Sequence, residues 1–387
     1  VTVDFDRKGS LSPALGAIYL FFNPAVQGTA NAMKTLFKGA KKEQAWMALG
    51  ALAALGFYLA GQGMDDDKDR WLGEGWESRA KNMMINVGGH TITVPLSMEF
   101  APFYAFGVAL AEASRNGTSK MAAAGHIVSS FLDAYFPLQG AFRSESDNPG
   151  MDAAMAAVPT LLKPGVQVAA NRNSFGSQVV PDNELTKDRP DNLKMFRGTK
   201  GSVYDAAAQG IAKAGEAMGA GRYENDITKV SPETLKLMWR TYTGGLGQFV
   251  TDTAGMANVG ASDGTSLEAS DVPIVKTFVK PNDVKAIRGR YYDLAKDAHA
   301  AAEEFRQAKK AGDGEAIDDI LNRPEKAELL GLDRMIKSTN KAVAAIRDEM
   351  VDVNADQSLS LAQKRAQLKE LEKEEEVIYR DAIGAFR

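Results

Sequence analysis

Residues 45–60 read Ala-Trp-Met-Ala-Leu-Gly-Ala-Leu-Ala-Ala-Leu-Gly-Phe-Tyr-Leu-Ala and contain no charged side chain. Lys41, Lys42 and Glu43 precede this apolar run, and the polar segment 61–69 follows it. A helix of this length spans about 24 Å, which is short for the roughly 30 Å apolar core of a bilayer. The run is also long for a helix that is half exposed to water. The sequence therefore predicts a helix that avoids water.

Two interpretations of this helix remain open. It is either buried on every side, inside a helical domain or an oligomer, or it enters a membrane under some conditions. Gly50 with Ala54, and Gly56 with Ala60, let another helix approach closely in either case. Six residues of the run are expected to contact a membrane or a second copy: Trp46, Leu49, Leu52, Leu55, Phe57 and Leu59.

A β pattern appears at residues 84–96. Apolar side chains alternate with polar ones on both sides of Gly88-Gly89, and the glycine pair suits the tight turn of a β-hairpin. His90 lies beside this turn and is expected to face water.

Elsewhere in the first part of the chain, glycine and proline delimit helices. Ser231-Pro232 fits a helix start, and Gly244-Gly245 fits its end.

The charged fraction doubles near residue 283. We therefore predict a Gly-, Ala- and Pro-rich helical domain at 1–282, with the hairpin near 84–96, and a charged helical bundle at 283–387. Ser360 and Gln363 fit a capping box at the start of the last helix. Lys364 and Glu375 fall on the seam of that helix, which favours bundle packing over an extended coiled coil. The apolar side chains recur every three or four positions, and the predicted packing residues among them are Val284, Ile287, Tyr291, Leu294, Phe305, Leu368, Leu371 and Ile378.

The predicted fold class is thus mainly α: a multi-helix domain with one small β-hairpin and a C-terminal helical hairpin or bundle. Composition excludes several kinds of chemistry. The absence of cysteine excludes disulfides, thiol nucleophiles and Cys-ligated metals, and the three histidines are far apart in the sequence. No Walker sequence or Gly-x-Ser-x-Gly elbow is present. We predict no catalytic, cofactor-binding or metal-binding residues, no cofactor and no enzymatic activity.

Two charged segments have alternative interpretations. The acidic cluster at 65–69 is interpreted as a solvated end of the apolar helix. Lys38, Lys41 and Lys42 form a small basic patch, and residues 288–292 combine arginines with tyrosines. Stacking and phosphate contacts would permit non-specific contact with DNA. A core position for Tyr291 is the favoured interpretation, because it also lies on the apolar stripe.

Several segments recur in a characteristic order along the chain. They are 21–28 (Phe-Phe-Asn-Pro-Ala-Val-Gln-Gly), the apolar helix ending at the aspartates 65–67, the hairpin 85–96, the turn 171–176, residues 231–235 and the glycines of 244–247. This order resembles the large polyvalent protein-associated domains found near the C-termini of very long bacteriophage proteins. The resemblance covers essentially the whole chain and brings no catalytic motif with it.

The resemblance implies the C-terminal region of an internal virion protein, also called an ejection protein, of a short-tailed phage. Such proteins lie inside the capsid near the portal and move to the host cell envelope on ejection. The implied partners are copies of the same chain, other core, portal or tail proteins, and the host membrane. The alternative is the packaging domain of a virion-carried enzyme, an RNA polymerase or a peptidoglycan hydrolase. Since the chain begins without Met, we expect it to be part of a larger polypeptide.

Overall fold

A computed structural model of the chain describes residues 30–31, 34–135, 148–174, 176–182, 189–196, 199, 202–219, 228–260, 272, 275–282, 284–356 and 358–386. The described part is mainly helical and includes one small antiparallel sheet, which confirms the predicted fold class. The predicted segment 21–28 lies outside the described residues.

The first group of elements contains the apolar run and the hairpin. It consists of α1 (Lys42–Gly73), α2 (Trp76–Lys81), β1 (Asn82–Val87), β2 (His90–Pro95), α3 (Ala101–Ser114) and α4 (Lys120–Tyr135). The middle group consists of α5 (Pro149–Ala156), α6 (Lys163–Ala169), a 3₁₀ turn (Asp191–Leu193), α7 (Val203–Ala217), α8 (Pro232–Gly260), α9 (Val275–Phe278) and β3 (Val279–Pro281). The last group consists of α10 (Val284–Ala311), α11 (Gly314–Asn322), α12 (Pro324–Gly331), α13 (Asp333–Ala355) and α14 (Leu361–Gly384).

Helix α1 packs on α3 with almost no space between the two backbones. A Cβ atom added at Gly56 would overlap the carbonyl oxygen of Tyr104, and one added at Gly107 would overlap that of Ala53. The first hydrophobic core lies at this crossing and continues to α2 and β1 through Trp71, Trp76 and Met84. The glycines therefore fix which side of α1 faces the protein.

The hairpin forms where the sequence predicted it, with Ile85 opposite Ile92 and Val87 opposite His90. Gly88 and Gly89 have φ angles of 56° and 78°, which glycine adopts at no steric cost. His90 is exposed, as expected. Strand β3 pairs with β2 and places Val279 opposite Ile92. The sequence did not indicate this third strand, because three residues are too few to show a pattern.

The residues predicted to begin and end helices also do so in the structure. Ser360 accepts a hydrogen bond from the Gln363 backbone, and the Gln363 side chain accepts one from the Ser360 backbone, so the capping box is present. Helix α8 begins at Pro232 after Ser231, and its backbone leaves the helical region at Gly244, where φ is 59°. The glycine thus separates two helical halves, as its position in the sequence suggested.

The second hydrophobic core joins α10, α13 and α14. Val284, Ile287 and Tyr291 are buried in it, and Leu294 and Ile378 pack against its edge. Leu371 is buried as well, whereas Phe305 and Leu368 are half-buried. Helix α14 contributes Tyr379 and Ile383, which the predicted stripe did not contain. One face of α14 contains the positions 371, 375, 379 and 382–383. The buried residues of α14 therefore follow the repeat of a straight α-helix and not the strict heptad spacing of a coiled coil.

The boundary near residue 283 stays a prediction, but the elements on its two sides are in contact. Strand β3, just before the boundary, belongs to the sheet of the first group. Helix α10, just after it, packs on the end of α1, where a Cβ atom at Gly73 would overlap the carbonyl oxygen of Ala286. This close approach holds the end of α1 against the C-terminal helices.

Candidate functional site

The apolar run forms the first half of α1, and only one side of it is covered by the described chain. Leu49, Gly56 and Ala60 are buried, and Leu52 and Leu59 pack against the first core. Trp46, Leu55 and Phe57 are exposed. Among the described residues, α3 contacts the run from one direction, so these residues alone do not bury the helix on every side. Burial inside a helical domain or an oligomer, and contact with a membrane, both stay predictions.

The uncovered side of α1 is apolar along three turns. Met47 and Tyr58 are 67% and 60% exposed, and the exposed Ala54 lies between them on the same face. Among the described residues, α1 is the single helix that is long and apolar enough to cross a membrane by length and composition. A core helix of a soluble protein satisfies the same criterion, so the composition of α1 suits contact with another copy of the chain as well as contact with a membrane.

A groove of about 440 Å³ lies beside this face, between α1, α3, α4 and the helical residues 34–38. Its aromatic lining residues are Phe37, Trp46, Phe103, Phe106, Phe131 and Tyr135. The Trp46 Nε1 atom donates a hydrogen bond to the Leu36 carbonyl oxygen at 3.1 Å, and the Phe37 and Trp46 rings meet edge to face. The groove therefore extends the apolar surface of α1 towards its N-terminus.

Lysines lie at the N-terminal end of α1 and in the segment that precedes it. Lys34, Lys38, Lys41 and Lys42 are all exposed, and Glu43 is the one acidic residue of the sequence between positions 34 and 60. The predicted basic patch thus adjoins exposed aromatic side chains.

The acidic cluster after the apolar run is more than a solvated helix end. Helix α1 continues through it to Gly73, with a kink at Asp67 where φ is −156° and ψ is 91°. The Asp67 carboxylate accepts a hydrogen bond from Arg380 of α14 at 2.6 Å and pairs with Arg70 at 3.5 Å. Arg70 and Arg380 both contact Glu376. The sequence interpretation was wrong for Asp67, because its partner Arg380 comes from the far end of the chain.

The charges around Asp67 also set its pKa. Burial alone would raise the pKa, but the hydrogen bonds and charges of Arg380 and Arg70 outweigh burial and lower it. A carboxylate with a lowered pKa adds stability above its unfolded pKa, and this contribution is lost as the pH falls through the folded value.

Asp67→Asn is expected to lower the free energy of unfolding at pH 7 by about 1 kcal/mol, because it removes the charge from a half-exposed ion-pair network. The difference from the wild type should begin to shrink as the pH falls below about 4, the ordinary pKa of an aspartate, and should be lost once the pH is below the lowered pKa of Asp67 in the folded protein. Urea unfolding between pH 2.5 and 7 measures both effects. Asp66→Asn, at an exposed neighbour, is the control; a difference that persisted at pH 2.5 would contradict the role of the charge.

Two fully buried glutamates form ion pairs with arginines. Glu112 of α3 is fully buried and accepts hydrogen bonds from Trp71 Nε1 at 2.9 Å, Arg79 Nε at 2.8 Å and Thr118 Oγ1 at 3.1 Å. Glu375 of α14 is also fully buried and pairs with Arg288 and Arg347. The sequence placed Glu375 on a helix seam but gave Glu112 no role. A lone acid in an otherwise apolar helix was the signal that could have found it.

The described residues form no cluster of three or more His, Asp or Glu side chains that could hold a metal ion. His126 is buried and stacks on the Trp76 ring at 4.3 Å. In segment 288–292, Tyr291 is buried in the second core and Arg288 is paired with Glu375. The core interpretation of Tyr291 is therefore the one the structure supports, and the absence of catalytic residues stays a prediction.

Comparisons with known proteins give one result. No curated protein and no solved structure matches the chain. A family model described as large polyvalent protein associated domain 38 matches residues 68–275, which is more than half of the sequence. The match begins directly after the kink at Asp67 and includes the sheet hairpin and helices α2 to α8. The chain therefore belongs to the large polyvalent protein associated domain 38 family, and this membership indicates a phage-associated protein.

Proposed function

We propose that the chain is a structural component of a phage particle, namely the C-terminal part of an internal virion (ejection) protein. It lies inside the capsid near the portal and assembles with copies of itself around the portal–tail axis. After release it reaches the host envelope and assists the passage of DNA. Its other partners are core, portal or tail proteins and the host membrane, with non-specific contacts to phage DNA. It makes and breaks no covalent bond.

The observation that supports this proposal most is the apolar face of α1 that none of the described residues covers. Soluble monomers rarely expose a continuous apolar surface of this kind, and such a surface marks contact with a protein or a membrane. Family membership supplies the phage context. Together they favour a protein that acts by association.

Met47→Asp combined with Tyr58→Asp is expected to convert an assembled wild-type protein into a monomer of 41.6 kDa. Both side chains are exposed in the single chain, so the fold tolerates the change, whereas an apolar interface cannot accommodate unpaired carboxylates. Light scattering measures the mass. Leu52 and Leu59 are unsuitable targets, because they pack against the first core.

The matched control is Met218→Asp combined with Val351→Asp, at exposed apolar positions at the C-cap of α7 and on α13. This variant should keep the wild-type mass. A wild-type protein that stays monomeric at all concentrations would reject self-assembly. Mass spectrometry and imaging of purified phage particles test the location, and particles without this chain would reject the proposal as a whole.

A further inference from the structure

The exposed face of α1 is suited to lie along a surface. Met47, Ala54 and Tyr58 fall within about 40° of one another around the helix axis, given 100° per residue. The opposite side carries Leu49 and Gly56, which are buried against the protein. A partner that covers this face while α1 keeps its present position must be flat or groove-shaped along about three turns.

The contact with α3 argues against a spanning orientation. At Gly56 and Gly107 the backbones of α1 and α3 approach so closely that no side chain fits between them. Lipid could surround α1 only after this contact and the core beneath it had separated. An in-plane orientation requires no such separation, because none of the described residues covers this face of α1.

Exposed charges at the N-terminal end of α1 indicate the kind of surface. Lys38, Lys41 and Lys42 are exposed beside Phe37 and Trp46, which are also exposed. Lysines next to a bilayer are attracted to anionic headgroups, and aromatic rings favour the boundary between headgroups and acyl chains. Duplex DNA would satisfy the lysines but would leave the neighbouring apolar side chains in water.

We propose that α1 binds the surface of an anionic bilayer in the plane of the membrane, while it stays packed on α3. Its Met47–Tyr58 face enters the boundary region, and Lys38, Lys41 and Lys42 contact phosphate headgroups. This inference rests on the proposed function: another copy covers the Met47–Tyr58 face inside the particle, and the face becomes available to the bilayer after release. It adds the lipid class and the orientation.

The first test is flotation of the full chain with vesicles of phosphatidylcholine alone or with 30% phosphatidylglycerol. Lys38→Gln, Lys41→Gln and Lys42→Gln together are expected to lower partitioning onto the anionic vesicles by about a hundredfold. The control variant, Lys309→Gln, Lys310→Gln and Lys341→Gln, removes the same charge from exposed positions on α10 and α13 and should bind like the wild type. Equal losses in both variants, or wild-type binding independent of phosphatidylglycerol, would overturn the proposal.

The second test measures depth. The chain has no cysteine, so a fluorophore can be attached at Met47→Cys, Ala54→Cys or Tyr58→Cys. In-plane binding places all three labels at one shallow depth in quenching by lipid-attached nitroxides. A spanning helix would separate the labels at 47 and 58 by about 16 Å along the membrane normal. A graded depth would therefore refute the orientation.

The outcomes also separate this inference from the proposed function. If the lysine variant loses its native mass or its binding to duplex DNA while vesicle binding is unchanged, the lysines serve another copy or nucleic acid and the lipid assignment is wrong. Incorporation of the chain into phage particles is measured independently. The proposed function can therefore survive a negative vesicle result.

Discussion

Glu112→Ala is expected to lower the free energy of unfolding by about 3–5 kcal/mol, the largest effect among the changes considered. The substitution leaves the Arg79 guanidinium buried and without its carboxylate, since the Arg79 side chain is only 3% exposed. It also removes the acceptor of the Trp71 indole and the Thr118 hydroxyl. Urea unfolding followed by circular dichroism measures the loss.

A double replacement distinguishes a buried charge from a packing defect. Arg79→Met with Glu112→Leu should recover most of the lost stability, because an apolar pair of similar volume leaves no unpaired charge. Glu375→Ala should cost less, about 2 kcal/mol, since its partners Arg288 and Arg347 are 32% and 38% exposed and can turn towards water. If the double variant were as unstable as Glu112→Ala, the charge would not be the cause.

Gly107→Ala is expected to destabilise the fold by about 3 kcal/mol, because a methyl group at this position forces the backbones of α1 and α3 apart. The added Cβ atom would overlap the carbonyl oxygen of Ala53 and lie 2.7 Å from the Phe57 nitrogen. Backbone atoms cannot rotate away as a flexible side chain could. Thermal and urea unfolding measure the effect.

The same substitution at open positions is the control for Gly107→Ala. Gly50 in α1 and Gly125 in α4 have no heavy atom within 4 Å of an added Cβ. Gly50→Ala and Gly125→Ala should therefore stabilise the chain by about 0.5–1 kcal/mol, as is usual for glycine in a helix interior. Destabilisation of similar size in all three variants would show that the contact between α1 and α3 is not as close as described.

The glycine contact between α1 and α3 and the buried Glu112–Arg79 pair determine which side of α1 is available for partners. Gly56 and Gly107 hold one side of the helix against α3, and the Glu112–Arg79 pair fixes α3 to Trp71 at the end of α1. Variants that separate α1 from α3 would expose Leu49 and Ala60 along with Met47 and Tyr58. Their binding to membranes would then be unspecific, so they should not be used to test the proposed surface.

Local chemistry explains what could be predicted. The turn at Gly88-Gly89, the capping box of Ser360 with Gln363 and the helix break at Gly244 depend on neighbouring residues, and all three are present in the structure. The apolar stripe of α10 could also be predicted, because apolar and charged side chains alternate clearly along this helix. Strand β3 could not be predicted, since its three residues adopt strand geometry only by pairing with β2.

The amino-acid sequence by itself determined that the chain is mainly helical, where its hairpin turns and where its main caps lie, because these depend on contacts within a few residues. It also identified an uncharged helix in need of a partner. Only the tertiary structure decided which side of that helix stays open, that Asp67 pairs with Arg380, and that Glu112 is buried with Arg79. In its first half, α1 carries small and apolar residues on every face, so the sequence pattern does not show which face packs on the protein. The close backbone contacts at Gly56 and Gly107 determine that face. Ion pairs between distant segments likewise have no local signature, because their geometry exists only after the chain has folded.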